Sequence, residues 1–268
     1  MHKKDIQLTL GAGLMAGMLA WVVWRGPDAA VLMAAMAGFA VVWPLALFRR
    51  LQAQQEAASK RLERNAHHVS QIAVQLGVEA LPLPELGGIR VSPDFAALLL
   101  TEIFARRPRV IAEFGCGAST ILTASALRRI GAGKVLSFDH EAEFVVATQA
   151  ELVRRGLTAW AEVRHAPLAS TSADPSILSY DETVFLGHLT EVEMAVVDGP
   201  PGWIKGARRG VIVQTLAAKL RPGARVLFDD GSRTEIKDAL MDWIRRNPKW
   251  IARSLDLEKG AWLLDAPP

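Results

Sequence analysis

Cysteine and tyrosine each occur once, and acidic and basic side chains nearly balance. The lone Cys116 excludes an internal disulfide and fits a reducing compartment. Lys and Arg total 31 against 28 Asp and Glu, a formal net charge of +3 that is too small and too scattered to imply a nucleic-acid partner. No internal repeat or low-complexity tract is present in the 268 residues. Ionisable side chains are missing altogether from two apolar stretches, Ile6 to Trp24 and Ala29 to Phe48.

Each stretch matches the ~20 residues that a helix needs to cross ~30 Å of hydrocarbon. The sequence therefore predicts an N-terminal two-helix transmembrane hairpin over residues 1–48, with spans at about 6–24 and 29–48. A secretory signal would show one shorter apolar core and a small-residue cleavage site, which a second full stretch after Arg25-Gly26-Pro27-Asp28 does not fit. Lys3 and Lys4 precede the first span and Arg49 and Arg50 follow the second, so both ends are expected to face the cytoplasm. Trp21, Trp24 and Trp43 fall near the span ends, where indole rings favour the headgroup region. Gly13 and Gly17, with Ala34 and Gly38, give spacings that allow close helix approach. Arg49, Arg50, Lys60, Arg61 and Arg64 outnumber Glu56 and Glu63 just beyond, which suits the anionic inner leaflet of a lipid bilayer.

From Arg49 to about Leu76 there is no Gly or Pro, and Gln, Ala, Glu, Lys and Arg dominate, which predicts a helical neck within a linker spanning residues 49–80. Its seam, Leu51, Ala58, Leu62, Val69, Ile72 and Leu76 with Gln55 and Asn65 in the gaps, either pairs in a parallel homodimer or packs on the chain's own domain. Leu81-Pro82-Leu83-Pro84 and Gly87-Gly88 break the helix and open a domain at residues 81–268. There, strand-like runs near Val110–Phe114, Lys134–Phe138, Ala161–His165, Met194–Val197 and Arg225–Phe228 alternate with helical patterns, the signature of a parallel sheet covered on both faces. Helices are expected over 121–129, 141–155 and 208–220. Trp250–Leu255 and Ala261–Leu264, joined by a short link, predict a closing antiparallel hairpin. The stretch from Ala169 to Leu189 is poorly patterned, and reads as a lid or a long connection holding a short helix.

Chemistry begins where the first strand ends. In Glu113-Phe114-Gly115-Cys116-Gly117, two glycines at a strand-to-helix turn let backbone N–H groups approach a ligand. Asp139 ends the second strand, placed to accept hydrogen bonds from ribose hydroxyls. A nicotinamide dehydrogenase would want Gly or Ala at position 120, which is Thr, and the only tyrosine, Tyr180, heads no Tyr-x-x-x-Lys dyad.

With Val197-Asp198-Gly199-Pro200-Pro201-Gly202 and Leu227-Phe228-Asp229-Asp230, these segments resemble the successive motifs of class I S-adenosylmethionine-dependent methyltransferases, over roughly Val91 to Leu264. The resemblance implies an α/β fold, a Rossmann-like seven-stranded methyltransferase sheet of five parallel strands and an antiparallel hairpin with helices on both faces. It implies S-adenosyl-L-methionine as cofactor, with Glu113, Gly115 and Gly117 at the methionine half and Asp139, within Phe138-Asp139-His140-Glu141, at the ribose. Ser119 stands in place of the family's frequent third glycine and could bind through its N–H or hydroxyl. His165 and Ala166 follow the third strand, where the family meets the adenine, although His165 reads equally as a structural histidine.

Asp198, Asp229 and Asp230 should converge at the carboxyl edge of the sheet. That arrangement resembles the divalent-metal O-methyltransferases, and three oxygen donors suit a hard cation such as Mg²⁺. The alternative is that Asp198 is a lone general base while Asp229 and Asp230 cap the next helix ahead of Thr234 and Glu235. Lys205, Arg208 and Arg209 after the Gly-Pro-Pro-Gly turn form a basic rim suited to an acidic substrate. The segment is similar to methyltransferases acting on sugars and polysaccharides. The expected activity is O-methylation of a glycan, lipid-linked or small hydroxyl acceptor by a membrane-anchored enzyme whose catalytic domain faces the cytoplasm, with Asp198 catalytic. The rivals are a non-catalytic membrane scaffold and an aminopropyltransferase on the same fold, the latter usually richer in glycine at the turn.

Overall fold

The computed structural model describes residues 29–77, 82–88 and 90–268, with side chains from residue 42 onward. The chain divides into two compact units, Met1–Glu63 and Arg64–Pro268. One uninterrupted helix, α1 (Ala29–Leu76), carries Pro44 in its interior. The second expected span and the neck are thus a single element, because no residue between Phe48 and Leu76 breaks the helix. The first expected span lies outside the described residues. Among the described residues no helix is long and apolar enough to cross a membrane, so the transmembrane hairpin gains no support from the structure. Of the second apolar stretch only residues 42–48 have described side chains, and Val42, Trp43, Leu45, Leu47 and Phe48 are exposed.

The neck seam divides as well. Leu51, Leu62 and Val69 are exposed, whereas Ile72 is fully buried among the core residues of the second unit and Leu76 packs against them. The last turns of α1 therefore belong to the domain, and Gly77 closes them with its N–H on the Ala73 carbonyl at 2.9 Å and φ of 61°. Gln75 adds a side-chain hydrogen bond to the Thr101 hydroxyl at 3.0 Å.

α2 (Pro93–Arg106), not expected from the sequence, starts with Pro at its first turn and buries Phe95, Leu99, Leu100 and Ile103. The units that follow are β1 (Val110–Phe114), α3 (Ala118–Ile130), β2 (Lys134–Asp139), α4 (Ala142–Arg154) and β3 (Ala161–His165). β4 (Leu168–Ser170) and β5 (Leu178–Tyr180) pair antiparallel as a separate small sheet, followed by the short α5 (Glu182–Leu186), capped by the Asp181 carboxylate on the Thr183 amide. The stretch read as a lid or connection is this hairpin and helix. β6 (Val192–Val197), α6 (Ile212–Leu216), β7 (Leu220–Asp229), α7 (Thr234–Arg246), β8 (Ile251–Leu255) and β9 (Ala261–Asp265) complete the domain.

The seven-stranded sheet has the order β3-β2-β1-β6-β7-β9-β8. β1, β2, β3, β6 and β7 run parallel, and β9 is antiparallel to β7 and β8, as the sequence predicts. Apolar side chains fill both faces, Ile111, Met194 and Leu227 on one and Ala112, Ala195 and Val226 on the other, as expected of a sheet buried on both sides. The helix expected over 208–220 shrinks to α6 plus a 3₁₀ turn at Ala217–Lys219. Residues 206–208 instead pair with β5, the Arg208 N–H donating to the Leu178 carbonyl and the Leu178 N–H to the Gly206 carbonyl, both at 2.9 Å.

Candidate active site

Three parallel strands deliver their carboxyl ends to one place. The Gly115 N–H donates to the Phe138 carbonyl and the Asp198 N–H to the Phe114 carbonyl, both at 2.8 Å, so the loops after β1, β2 and β6 are stitched together by backbone. A Cβ on Gly115, whose φ is 101°, would lie 3.1 Å from both the Asp198 carbonyl carbon and the Gly199 nitrogen, so only glycine lets the β1 turn sit this close to β6. At Gly117 the φ of 144° also excludes most side chains, but here nothing lies within 4 Å of the missing Cβ. That open space above the start of α3 is a cradle where a ligand can meet exposed backbone amides.

Glu113 does not line that cradle. It is fully buried, with Oε2 accepting from the Thr120 hydroxyl at 2.5 Å while that hydroxyl accepts from the Gly117 N–H at 3.0 Å. The carboxyl therefore braces the turn from below. Burial pushes its pKa up to about 7, against the hydroxyls of Thr120, Ser119 and Ser137. Oε1 has no protein partner, leaving an acceptor beneath the cradle. Ser119 is buried in the first turn of α3, on Glu113 and not in open space.

The Asp139 carboxylate accepts from the Cys116 N–H at 2.8 Å and the Glu141 N–H at 2.9 Å. Burial alone would raise its pKa, but His140 and these two amides outweigh burial and hold it below the usual value, so Asp139 is ionised at neutral pH. His140 Nδ1 lies 3.3 Å from Asp139 Oδ1, and its ring stands edge-on to Tyr180 with centroids 6.1 Å apart. Ala166 is buried, its N–H on the Asp139 carbonyl at 2.8 Å. His165 is exposed, with Nε2 3.0 Å from the His140 carbonyl oxygen. An anionic Asp139 with His140 against it and the open cradle at Gly117 fit the ribose and methionine ends of S-adenosylmethionine.

Asp198, Asp229 and Asp230 do meet at the ends of β6 and β7, but a side chain has taken the centre. Arg209, 2% exposed, directs Nη1 to Asp198 Oδ1 at 3.3 Å, to Asp230 Oδ2 at 3.1 Å and to the Asp229 carbonyl at 3.2 Å. Arg233 adds a second guanidinium on Asp230 at 2.6 Å. Asp229 Oδ1 accepts from the Asp230 N–H at 2.8 Å and Oδ2 has no partner, while burial, then the charges of Asp198 and Asp230, push its pKa well up. Among the described residues no group of three His, Cys, Asp or Glu side chains could hold a metal ion. The expected metal set of Asp198, Asp229 and Asp230 is thus corrected: the guanidinium supplies the positive charge, and one of the three carboxyls favours its proton.

A cavity of about 220 Å³ opens beside this cluster, lined by Asp198, Trp203, Arg209, Asp230, Arg233 and Lys259 among others. Of these, Trp203, Arg233 and Lys259 were not singled out from the sequence, because single residues on three separate loops leave no local pattern. Tyr180 was read only for its rarity. Its phenol is buried against the turn after β6, where a Cβ on Gly199 would lie 1.9 Å from the hydroxyl, and burial pushes its pKa well above 10.

Known proteins share this architecture. The Podospora anserina methyltransferase PaMTH1, solved with S-adenosylhomocysteine, aligns over 81% of this chain and 96% of its own with 12% identity and a TM-score of 0.55. A Geobacter sulfurreducens methyltransferase aligns over 82% and 96%, with 14% identity and a TM-score of 0.50. A Klebsiella pneumoniae protein classed as an O-methyltransferase aligns over 75% and 90%, with 15% identity and a TM-score of 0.51. Identities this low establish the fold alone. Comparison with curated proteins gives no match. Residues 112–231, from the middle of β1 to just beyond β7, match the family model described as a methyltransferase domain, and that segment holds the cradle, Asp139 and Asp198 together. Residues 112–231 thus carry a methyltransferase domain, on a fold shared with solved methyltransferases.

Proposed function

We propose that this protein methylates a hydroxyl group, with Asp198 as the general base and Arg209 as its counter-ion in place of a divalent metal. One observation carries the reading: the Asp198 backbone packs against the glycine turn at Gly115 while the residue also lines the cavity with the cations, which supports a carboxylate set between donor and acceptor. S-adenosylmethionine supplies the activated methyl group. Gly115, Gly117 and the start of α3 hold its methionine end, with Glu113 and Ser119 bracing the turn, and Asp139 and His140 hold the ribose. Asp198 takes the hydroxyl proton, and Arg209 fixes that carboxylate and keeps it ionised at neutral pH. The acceptor is a glycan, lipid-linked or small hydroxyl compound. The two uncharged stretches in residues 1–48 and the basic residues behind them support an anchor in a bilayer with the site on the cytoplasmic side.

The full-length protein in detergent, titrated with S-adenosylhomocysteine by calorimetry, tests the cofactor site. Binding should fall at least about tenfold in Asp139→Ala, which loses charge-assisted bonds to the ribose. Asp198→Asn should bind normally yet fail to incorporate labelled methyl from S-adenosylmethionine into a crude lipid and glycan extract. A folded wild type that binds no S-adenosylhomocysteine defeats the methyltransferase reading, and retained incorporation by Asp198→Asn defeats the base.

A further inference from the structure

More cations than carboxylates line the cavity beside Asp198. Arg209, Arg233 and Lys259 line it against Asp198 and Asp230, an excess of one cation. Arg209 Nε and Arg233 Nη1 are both buried without a hydrogen-bond partner, which is costly for a charged donor unless a ligand oxygen completes it. Lys259 spends one of its three protons on the Arg90 carbonyl at 2.8 Å, which ties the loop between β8 and β9 to the segment before α2 and holds the ammonium at the cavity wall.

The turn after β6 is cut to suit this arrangement. A Cβ on Gly202 would fall 2.5 Å from Arg233 Nη1, so the missing side chain is what makes room for the guanidinium. The next residue, Trp203, lines the same cavity and is 72% exposed, a large flat apolar face left in water beside cationic donors. An indole face suits the C–H surface of a sugar ring, and fixed cations suit an oxyanion on that ring.

We propose that the acceptor is an acidic sugar, whose carboxylate or phosphate seats on Arg233 and Lys259 while its ring lies on Trp203 and presents a hydroxyl to Asp198. This rests on the methyltransferase reading and names its substrate class. The cations that select the acceptor are then Lys259 and Arg233, the latter through the Nη1 that its pairing with Asp230 leaves unpartnered, while the Nη1 of Arg209 is committed to the aspartates.

The test is ligand-observed NMR on the full-length protein in detergent, saturated with S-adenosylhomocysteine, using D-glucuronate, glucose 1-phosphate and uncharged glucose as probes. One or both acids should bind and glucose should not, and which acid binds tells carboxylate from phosphate. Lys259→Gln and Arg233→Gln should each weaken that binding about tenfold, the scale of one charge-assisted hydrogen bond, with affinity for S-adenosylhomocysteine unchanged. Trp203→Ala should weaken it as well. Glucose binding as tightly as either acid, neither acid binding, or acid binding indifferent to both cation variants would overturn the proposal. Normal S-adenosylhomocysteine binding in those cases leaves the methyltransferase reading standing, whereas loss of that binding in the wild type removes both.

Discussion

Arg209 touches two aspartate side chains and a third aspartate's carbonyl through a single nitrogen, and the pH behaviour of the site follows from that contact. Burial pushes the Asp198 pKa up to about 6, against the pull of the guanidinium. A base must be ionised to act, so kcat/KM should fall on the acid side with a midpoint near 6. Arg209→Gln removes the opposing charge and should shift that midpoint to higher pH, and Arg209→Lys should bring it part of the way back. A pH–rate profile with an unmoved midpoint would show that Asp198 is not the titrating group. Glu113 gives a second, independent signal in stability. Its folded pKa, about 7, lies above the ordinary 4.5 of a glutamate, so its contribution is complete below pH 4.5 and is lost as pH rises through about 7. The loss corresponds to roughly 3 kcal/mol. Denaturant midpoints measured at pH 4.5 and 7.5 should therefore lie closer together in Glu113→Gln than in the wild type.

Ile72 shows how the last turns of α1 earn their place in the domain. It is fully buried with Phe95 and Leu99 of α2, so Ile72→Ala should cost about 2–4 kcal/mol, read as a lowered unfolding midpoint with no change in cofactor affinity. A chain beginning at Leu81 would lose the whole contact, whereas one beginning at Arg64 keeps it. From the sequence, β1 could be bounded to the residue and β2 to within one, because apolar runs ending in glycine or a carboxylate mark both faces and the end of a buried strand. The turn proposed for the cofactor was legible for the same reason, since Gly115, Gly117 and Asp139 sit at those ends. α2 was missed because its apolar positions run almost unbroken from Phe95 to Leu100 and show no helical stripe. α6 was overdrawn because the Gly206 carbonyl and the Arg208 N–H are taken by Leu178 of β5, a partner distant in sequence. Arg209 was read as part of a solvated basic rim, since a buried arginine and an exposed one look alike until the carboxylates around it are placed.

The chain carries a methyltransferase domain and an N-terminal region of opposite character. If residues 1–48 seat in a bilayer, the full chain should stay with the membrane fraction through an alkaline carbonate wash, and deleting those residues should release it; a full chain recovered in the wash would remove the anchor. High salt alone should leave the full chain in place, because only the basic residues behind the apolar stretches respond to screening. The buried phenol of Tyr180 reaches further than its local packing. As the chain's one tyrosine, sealed from water against Gly199, it can ionise in alkali only when water enters the domain. Tyrosinate absorbance is thus a built-in gauge of alkaline opening, with a single reporter at the turn after β6 and no second phenol to blur its reading.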